Sequence, residues 1–226
     1  MAAFAHAVAL GYDHIETDVQ ATRDGVAVIF HDDTLERMTG EAVRVDALDW
    51  ADLARRRTKG GSAIPRLDQV LEEWPDLNVN LEAKSDAAVA PLADAIQRLA
   101  ALERVCVGSF SAGRTAALRA RLGQGLCWSP AQAGVLALWL RGWGLPVRHA
   151  AFPAVQVPSS HHGIPVVTPR FVKAAHRAGI KVHVWTVDEE AEMNRLLDMG
   201  VDGLMSDRPT LLKSVLQRRG QWILGE

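Results

Sequence analysis

The stretch Ile15-Glu16-Thr17-Asp18-Val19 reads as a strand, and it sets two carboxylates at i and i+2, on one face. Adjacent negative charges repel. On a solvent-facing edge such a pair is cheap and chemically silent, whereas inside a closed sheet it costs several kcal/mol unless a cation neutralises it. A hard divalent ion with a preference for oxygen would do so, Mg2+ or Ca2+ before zinc. The same spacing recurs in Leu81-Glu82-Ala83-Lys84, at the end of a second strand-like stretch, where Glu82 and Lys84 share a face. Strand C-termini are where α/β barrels place their active centres; an exposed ion pair is the equal alternative for this segment alone.

A third apolar stretch, residues 26–30, stops at His31-Asp32-Asp33. Near a carboxylate cluster, His31 is a candidate general acid or base, because imidazole titrates close to neutrality. Asp33 begins the turn, and Asp32 either orients His31 or belongs to that turn. In residues 182–187, alternation sets His183, Trp185 and Val187 on one face, so Trp185 is either a core aromatic or the apolar wall of a pocket. The histidines at 6, 14, 149, 161, 162 and 176 show no metal spacing tied to carboxylates, and His161-His162 reads as a solvated loop. Arg55-Arg56-Arg57 closes a helix as a solvated basic end. Cys106 and Cys127 lack paired spacing and read as small core residues.

Positioning these groups requires alternating strands and helices. Strands are expected at Asp13–Val19, Val26–His31, Leu77–Lys84, Arg104–Phe110, Gly125–Ser129, Ala154–Pro158, Lys181–Val187 and Asp202–Asp207. Helices are expected at Asp46–Arg57, Leu67–Trp74, Ala87–Leu102, Ala112–Leu122, Ala131–Leu140, Pro169–Ala178, Glu189–Met199 and Pro209–Arg219. Ser111, Thr168 and Asp188 stand at N-cap positions, and Gly123, Gly179 and Gly200 stand where a left-handed exit is needed. Residues 20–25 leave no room for a helix, so that corner is a hairpin or an irregular crossover. Met1 to Leu10 reads as an uncapped, buried helix docking onto the strand that follows. With no flexible linker visible, residues 1–226 are expected to form one α/β domain with a largely parallel sheet.

Composition narrows the function. The 226 residues carry 25 Lys+Arg against 27 Asp+Glu, a formal charge of −2, so the summed charge offers no field for nucleic acid or an anionic membrane surface. Hydrophobic residues make up 48% and charged residues 23%, which excludes a disordered or fibrous chain. The longest apolar run, Ala133 to Leu140, is too short to span a membrane, and no signal peptide follows Met1. The cytoplasm is therefore the default location, with an earlier export signal left open. Oligomeric state is not readable.

These blocks, in order, resemble the glycerophosphodiester phosphodiesterase family. The matching text is Ala2-Ala3-Phe4, residues 11–20 with their Glu-x-Asp, Thr22-Arg23-Asp24-Gly25, Val28 through Arg37, Ile64-Pro65-Arg66-Leu67 and Asn80-Leu81-Glu82-Ala83-Lys84. It resumes at Val107-Gly108-Ser109-Phe110, Trp185-Thr186-Val187 and Gly200 to Pro209. The resemblance implies an irregular TIM-type (β/α)8 barrel. It also implies metal-dependent hydrolysis of small glycerophosphodiesters to glycerol 3-phosphate and an alcohol, with Ca2+ or Mg2+. By the same resemblance, Glu16, Asp18 and Glu82 hold the metal, Lys84 neutralises phosphate oxygens, His31 is one of two acid/base histidines, and Trp185 lines the glycerol side. Members of the family open with a strand ending in His-Arg-Gly, followed by Pro-Glu-Asn-Thr, and Met1 stands where that segment should end. The expectation is thus a barrel lacking its first strand, with nine strand candidates for eight positions once that strand is added. Ala154–Pro158 is the one to lie outside the barrel or be misread. The other reading is a non-catalytic module that keeps only a phosphate- and polyol-binding pocket.

Overall fold

The computed structural model describes residues 1–148 and 151–222, and their contacts gather into two compact units: residues 1–5 with 13–127, and residues 6–12 with 128 onward. His149 lies outside the described residues.

In the first unit, β1 (His14–Ala21) pairs antiparallel with β2 (Ala27–Ile29) and parallel with β3 (Asn78–Ala83), and β4 (Val105–Gly108) follows in parallel; β5 (Cys127–Trp128), where the first unit ends, closes the order β2-β1-β3-β4-β5. Period-two alternation sorts the side chains: Ile15, Thr17, Val19 and Ala21 are buried, as are Val79, Leu81 and Ala83. The polar residues between them are left to the opposite face. The corner after β1 is a hairpin. Thr22 Oγ1 donates to Asp24 Oδ1 (2.6 Å) and accepts from Val26 N (2.9 Å), while Gly25 supplies the left-handed φ of 80°. Beyond β2, Val28, Phe30, Leu35, Val45, Leu53 and Ile64 form a small buried cluster.

The helix expected over Asp46–Arg57 does not form as one piece. After α2 (Glu36–Thr39), a short turn the sequence reading passed over, a 3-10 turn spans Val45–Ala47 and α3 covers only Trp50–Leu53. Asp49 is held by a two-bond Arg23 fork (2.9 and 2.6 Å) and Trp50 N donates to Asp24 Oδ1 (2.9 Å), so the helix restarts there. The Arg55–Arg57 run accordingly lies beyond α3 rather than closing a long helix; Arg55 pairs with Asp52 and Arg56 with Glu41. After α4 (Leu67–Glu73), the expected Ala87–Leu102 helix shortens to a 3-10 turn at Asp86–Ala88, α5 (Val89–Arg98) and a second 3-10 turn at Leu102–Arg104. Ala100, at φ 50°, takes the left-handed exit, and Ala101 N reaches back to Ile96 O (2.9 Å). α6 (Ala112–Leu122) has the expected bounds, and Ser111 Oγ accepts from Arg114 N.

In the second unit, β6 (Ala154–Pro158), β9 (Lys181–Trp185) and β10 (Gly203–Leu204) form a parallel sheet in the order β10-β9-β6. Ala154–Pro158 is therefore a true strand, within a sheet, with the expected bounds. α7 (Gln132–Gly142) packs against α8 (Pro169–Arg177), closely enough that a Cβ on Gly142 would stand 3.1 Å from the Arg170 carbonyl oxygen. Thr168 caps α8 by accepting from Phe171 N (3.2 Å). Asp188 does not cap α9 (Glu190–Asp198). Its Oδ1 accepts instead from Ser206 Oγ and Asp207 N (both 2.9 Å), ahead of α10 (Pro209–Arg218). His161 and His162 are exposed, as expected of a solvated loop, but the loop is the tip of a hairpin: β7 (Ser160–His161) and β8 (Ile164–Pro165) are joined by His162 and Gly163, both at positive φ (49° and 78°).

The opening helix α1 (Ala2–Ala9) buries none of its residues, contrary to expectation, so its uncapped N–H groups cost little because water reaches them.

Candidate active site

Register in the first unit decides which polar residues meet. β1 and β3 run parallel with Glu16 opposite Asn80 and Asp18 opposite Glu82, so Asp18 and Glu82 are neighbours on the face not packed into the core. One residue past β3, Lys84 N donates to Val19 O (3.0 Å), which turns the lysine back over the pair. Its Nζ lies 3.5 Å from Asp18 Oδ1 and 3.3 Å from Glu82 Oε1. With side chains only 15%, 19% and 23% exposed, Lys84, Asp18 and Glu82 form a half-buried triad, not the exposed ion pair that was the alternative. Two carboxylates share one ammonium, and the charge is unbalanced. Burial, reinforced by the neighbouring Asp18, pushes the Glu82 carboxyl above its ordinary range, and Lys84 opposes the shift without cancelling it.

His31 lies just after β2 and is 60% exposed. Its Nδ1 is 2.7 Å from Asp32 Oδ1, and Arg37 grips the same carboxylate through Nε (2.6 Å) and Nη2 (3.1 Å). The Arg37 hydrogen bonds hold Asp32 well below the usual carboxylate range, with His31 adding to them. Of the two roles its position left open, Asp32 is placed for the orienting one, beside His31 Nδ1. His31 is also close enough to Glu82 to lower that group's proton affinity. Asp33 takes the turn role expected of it: it accepts from Gln20 Nε2 (3.1 Å), and its carbonyl accepts from Val45 N.

Trp185 belongs to the second unit. It ends β9 opposite Pro158, half-buried, on the same face as His183. Glu16, exposed, sits two residues before Asp18 on the same face of β1.

Among the described residues, no three His, Cys, Asp or Glu side chains stand gathered as a metal-binding group. Asp18 and Glu82 are closed instead on the Lys84 ammonium. The donor set nevertheless fits a hard divalent cation: three carboxylates lie on one sheet face, two of them are half-buried, and together they carry more negative charge than one lysine neutralises.

Three supporting residues were not singled out from sequence. Arg37 holds Asp32. Arg114 donates through Nη1 to Lys84 O (2.6 Å) and through Nε to Asp86 (2.7 Å), bracing the lysine from α6. Phe110, just past β4, puts its ring 5.9 Å from Lys84 Nζ. Arg37 and Phe110 fall inside the matching sequence blocks, which was the available signal; Arg114 had none. Cys106 and Cys127 are brought side by side on neighbouring strands, where the Cys127 thiol and burial together push the Cys106 thiol far up.

The chain is similar to known proteins over nearly its whole length. A family model described as the glycerophosphoryl diester phosphodiesterase family matches residues 1–211. A Mycobacterium tuberculosis protein named probable glycerophosphodiester phosphodiesterase 2 is 43% identical, over 98% of this chain and 86% of its own length. A solved glycerophosphoryl diester phosphodiesterase of Silicibacter pomeroyi superposes with a TM-score of 0.81 at 22% identity, covering 97% of this chain and 88% of its own. A phosphodiesterase of Oleispira antarctica, solved with the product sn-glycerol-3-phosphate, gives 0.74 at 20% identity over 95% and 90%. These likenesses bear out the expected fold class, an irregular TIM-type α/β barrel. With its family model running through β1, β3 and the Asp18–Glu82–Lys84 triad, the chain belongs to the glycerophosphoryl diester phosphodiesterase family.

Proposed function

We propose that residues 1–226 act as one catalytic domain that hydrolyses small glycerophosphodiesters to glycerol 3-phosphate and an alcohol, with a divalent cation, Ca2+ or Mg2+, held by Glu16, Asp18 and Glu82. The observation that carries this reading is the half-buried Asp18–Glu82 pair with a single ammonium between its carboxylates. Family membership and the relative named for this activity support it. Bound at these carboxylates, the cation would supply positive charge to the phosphoryl oxygens. Lys84 adds a second positive centre to the non-bridging oxygens, where charge grows as water attacks phosphorus. His31, held at Nδ1 by Asp32, keeps Nε2 for proton transfer: it protonates the departing alcohol oxygen or relays a proton to the group that does. Trp185 offers an apolar wall to the glycerol carbons.

The test is release of glycerol 3-phosphate from glycerophosphocholine by the purified chain. Turnover should vanish with a chelator and return with Ca2+ or Mg2+, and Glu82→Gln should cut the rate by about 10²-fold or more. A rate and metal dependence untouched by Glu82→Gln would remove Glu82 from the site. Tight binding of glycerol 3-phosphate with no turnover would replace catalysis by a binding role.

A further inference from the structure

The summed charge of −2 conceals a segregated one. Residues 128–187 contain no aspartate or glutamate, yet they carry Arg141, Arg148, Arg170, Lys173, Arg177 and Lys181, of which Lys181 is paired to Asp202. In the middle of this basic stretch lies α7, whose sequence is apolar nearly all round. A helix of that composition belongs in a core, yet only Leu138 is buried. Leu136, Trp139 and Trp143 follow one another at i, i+3 and i+7 along one stripe; Leu136 is 56% and Trp143 53% exposed. The two indoles are 5.6 Å apart, and Arg170 lies 4.4 Å over the Trp143 ring. Trp139 Nε1 donates to Pro165 O (3.3 Å), which holds the β7–β8 hairpin against α7 and adds Ile164, 61% exposed, to the same face.

We propose that this face, α7 with the β7–β8 hairpin, docks the protein on an anionic phospholipid bilayer, with Leu136, Trp143 and Ile164 entering the headgroup region and Arg170, stacked on Trp143, meeting lipid phosphates. Indoles favour the membrane–water interface, and basic side chains beside them are drawn to an anionic leaflet. A second copy of the chain fits the face less well, because a two-fold contact would set Arg170 against its counterpart and residues 128–187 supply no carboxylate to receive it. Among the described residues no helix is long and apolar enough to cross a membrane. The proposal does not depend on which diester the active site takes.

Co-sedimentation with vesicles of phosphatidylglycerol and phosphatidylcholine, against pure phosphatidylcholine, tests it. The protein should pellet with the anionic vesicles only and be released by about 0.5 M salt. Arg170→Gln should weaken association about fivefold. Trp143→Ala and Ile164→Ser should weaken it further, with glycerophosphocholine turnover and the circular dichroism spectrum unchanged. Absence of anionic-vesicle binding by the native protein would overturn the proposal, as would binding indifferent to these three changes. So would a concentration-dependent dimer, broken by Leu136→Ser, in a protein that ignores vesicles, since the face would then belong to a second copy.

Discussion

The Asp18–Glu82–Lys84 triad and the Leu136–Trp143 face break the ordinary rule of burial in opposite directions. In the first, charged groups are half-buried and closed on one another; in the second, large apolar groups are exposed and ringed by charge with no acid in the surrounding sequence. Each departure costs stability, and each is held in place by well-packed elements. The triad rests on the buried alternation of β1 and β3, and the exposed stripe rests on Leu138 and on the close approach of Gly142 to α8. The lesson is that local disorder of polarity, set on an ordered scaffold, is the mark of a working surface.

Substitutions on either side of this contrast should separate function from stability. The largest effect is expected from Lys84→Ala, which removes a positive centre and leaves two carboxylates facing each other. Turnover should fall about 10²- to 10³-fold, whereas a loss below tenfold would show that the cation alone carries the charge. Next is Leu138→Ala, which empties a fully buried site in α7 and should cost about 2–5 kcal/mol in denaturant unfolding. Leu136→Ala, two residues away but exposed, should cost under about 0.5 kcal/mol; equal costs would mean the stripe is covered. Asp32→Asn should lower turnover about tenfold by releasing the His31 ring, a positioning effect read as a shift in the pH–rate profile without loss of Tm. The smallest effect concerns Glu82. Because its carboxyl lies above its ordinary value in the folded protein, the native state holds this proton more tightly than the unfolded chain. Stability assigned to this group is present at low pH and falls as pH rises from the ordinary carboxylate range through the raised value. Glu82→Gln should therefore raise the Tm of the metal-free protein by about 1–4 °C at neutral pH and flatten that decline. A lowered Tm would mean the Lys84 contact outweighs burial.

Much of this was legible residue by residue. The i, i+2 carboxylates of β1 and the Glu82–Lys84 spacing depend only on strand period, and α6 between Ser111 and Gly123 depends only on its caps. Whatever depended on pairing between distant segments was not. Nothing in the sequence says that Asp18 stands opposite Glu82, that Arg37 folds back on Asp32, or that Cys106 meets Cys127. Nor could the local pattern of Asp46–Arg57 foresee that the Arg23–Asp49 fork would break its helix. The summed charge misled for a related reason, since it averages over the very separation that residues 128–187 maintain.

Asp188 has a dynamic consequence. One carboxylate ties the turn after β9 to the turn after β10, and at the opposite end of these strands Asp202 accepts from Val182 N (2.9 Å). With β9 and β10 tied at both ends, neither loosens without the other. The last two βα repeats should therefore open as one cooperative unit, with the amides of Val182 and Asp207 exchanging with solvent deuterium at the rate of that shared opening.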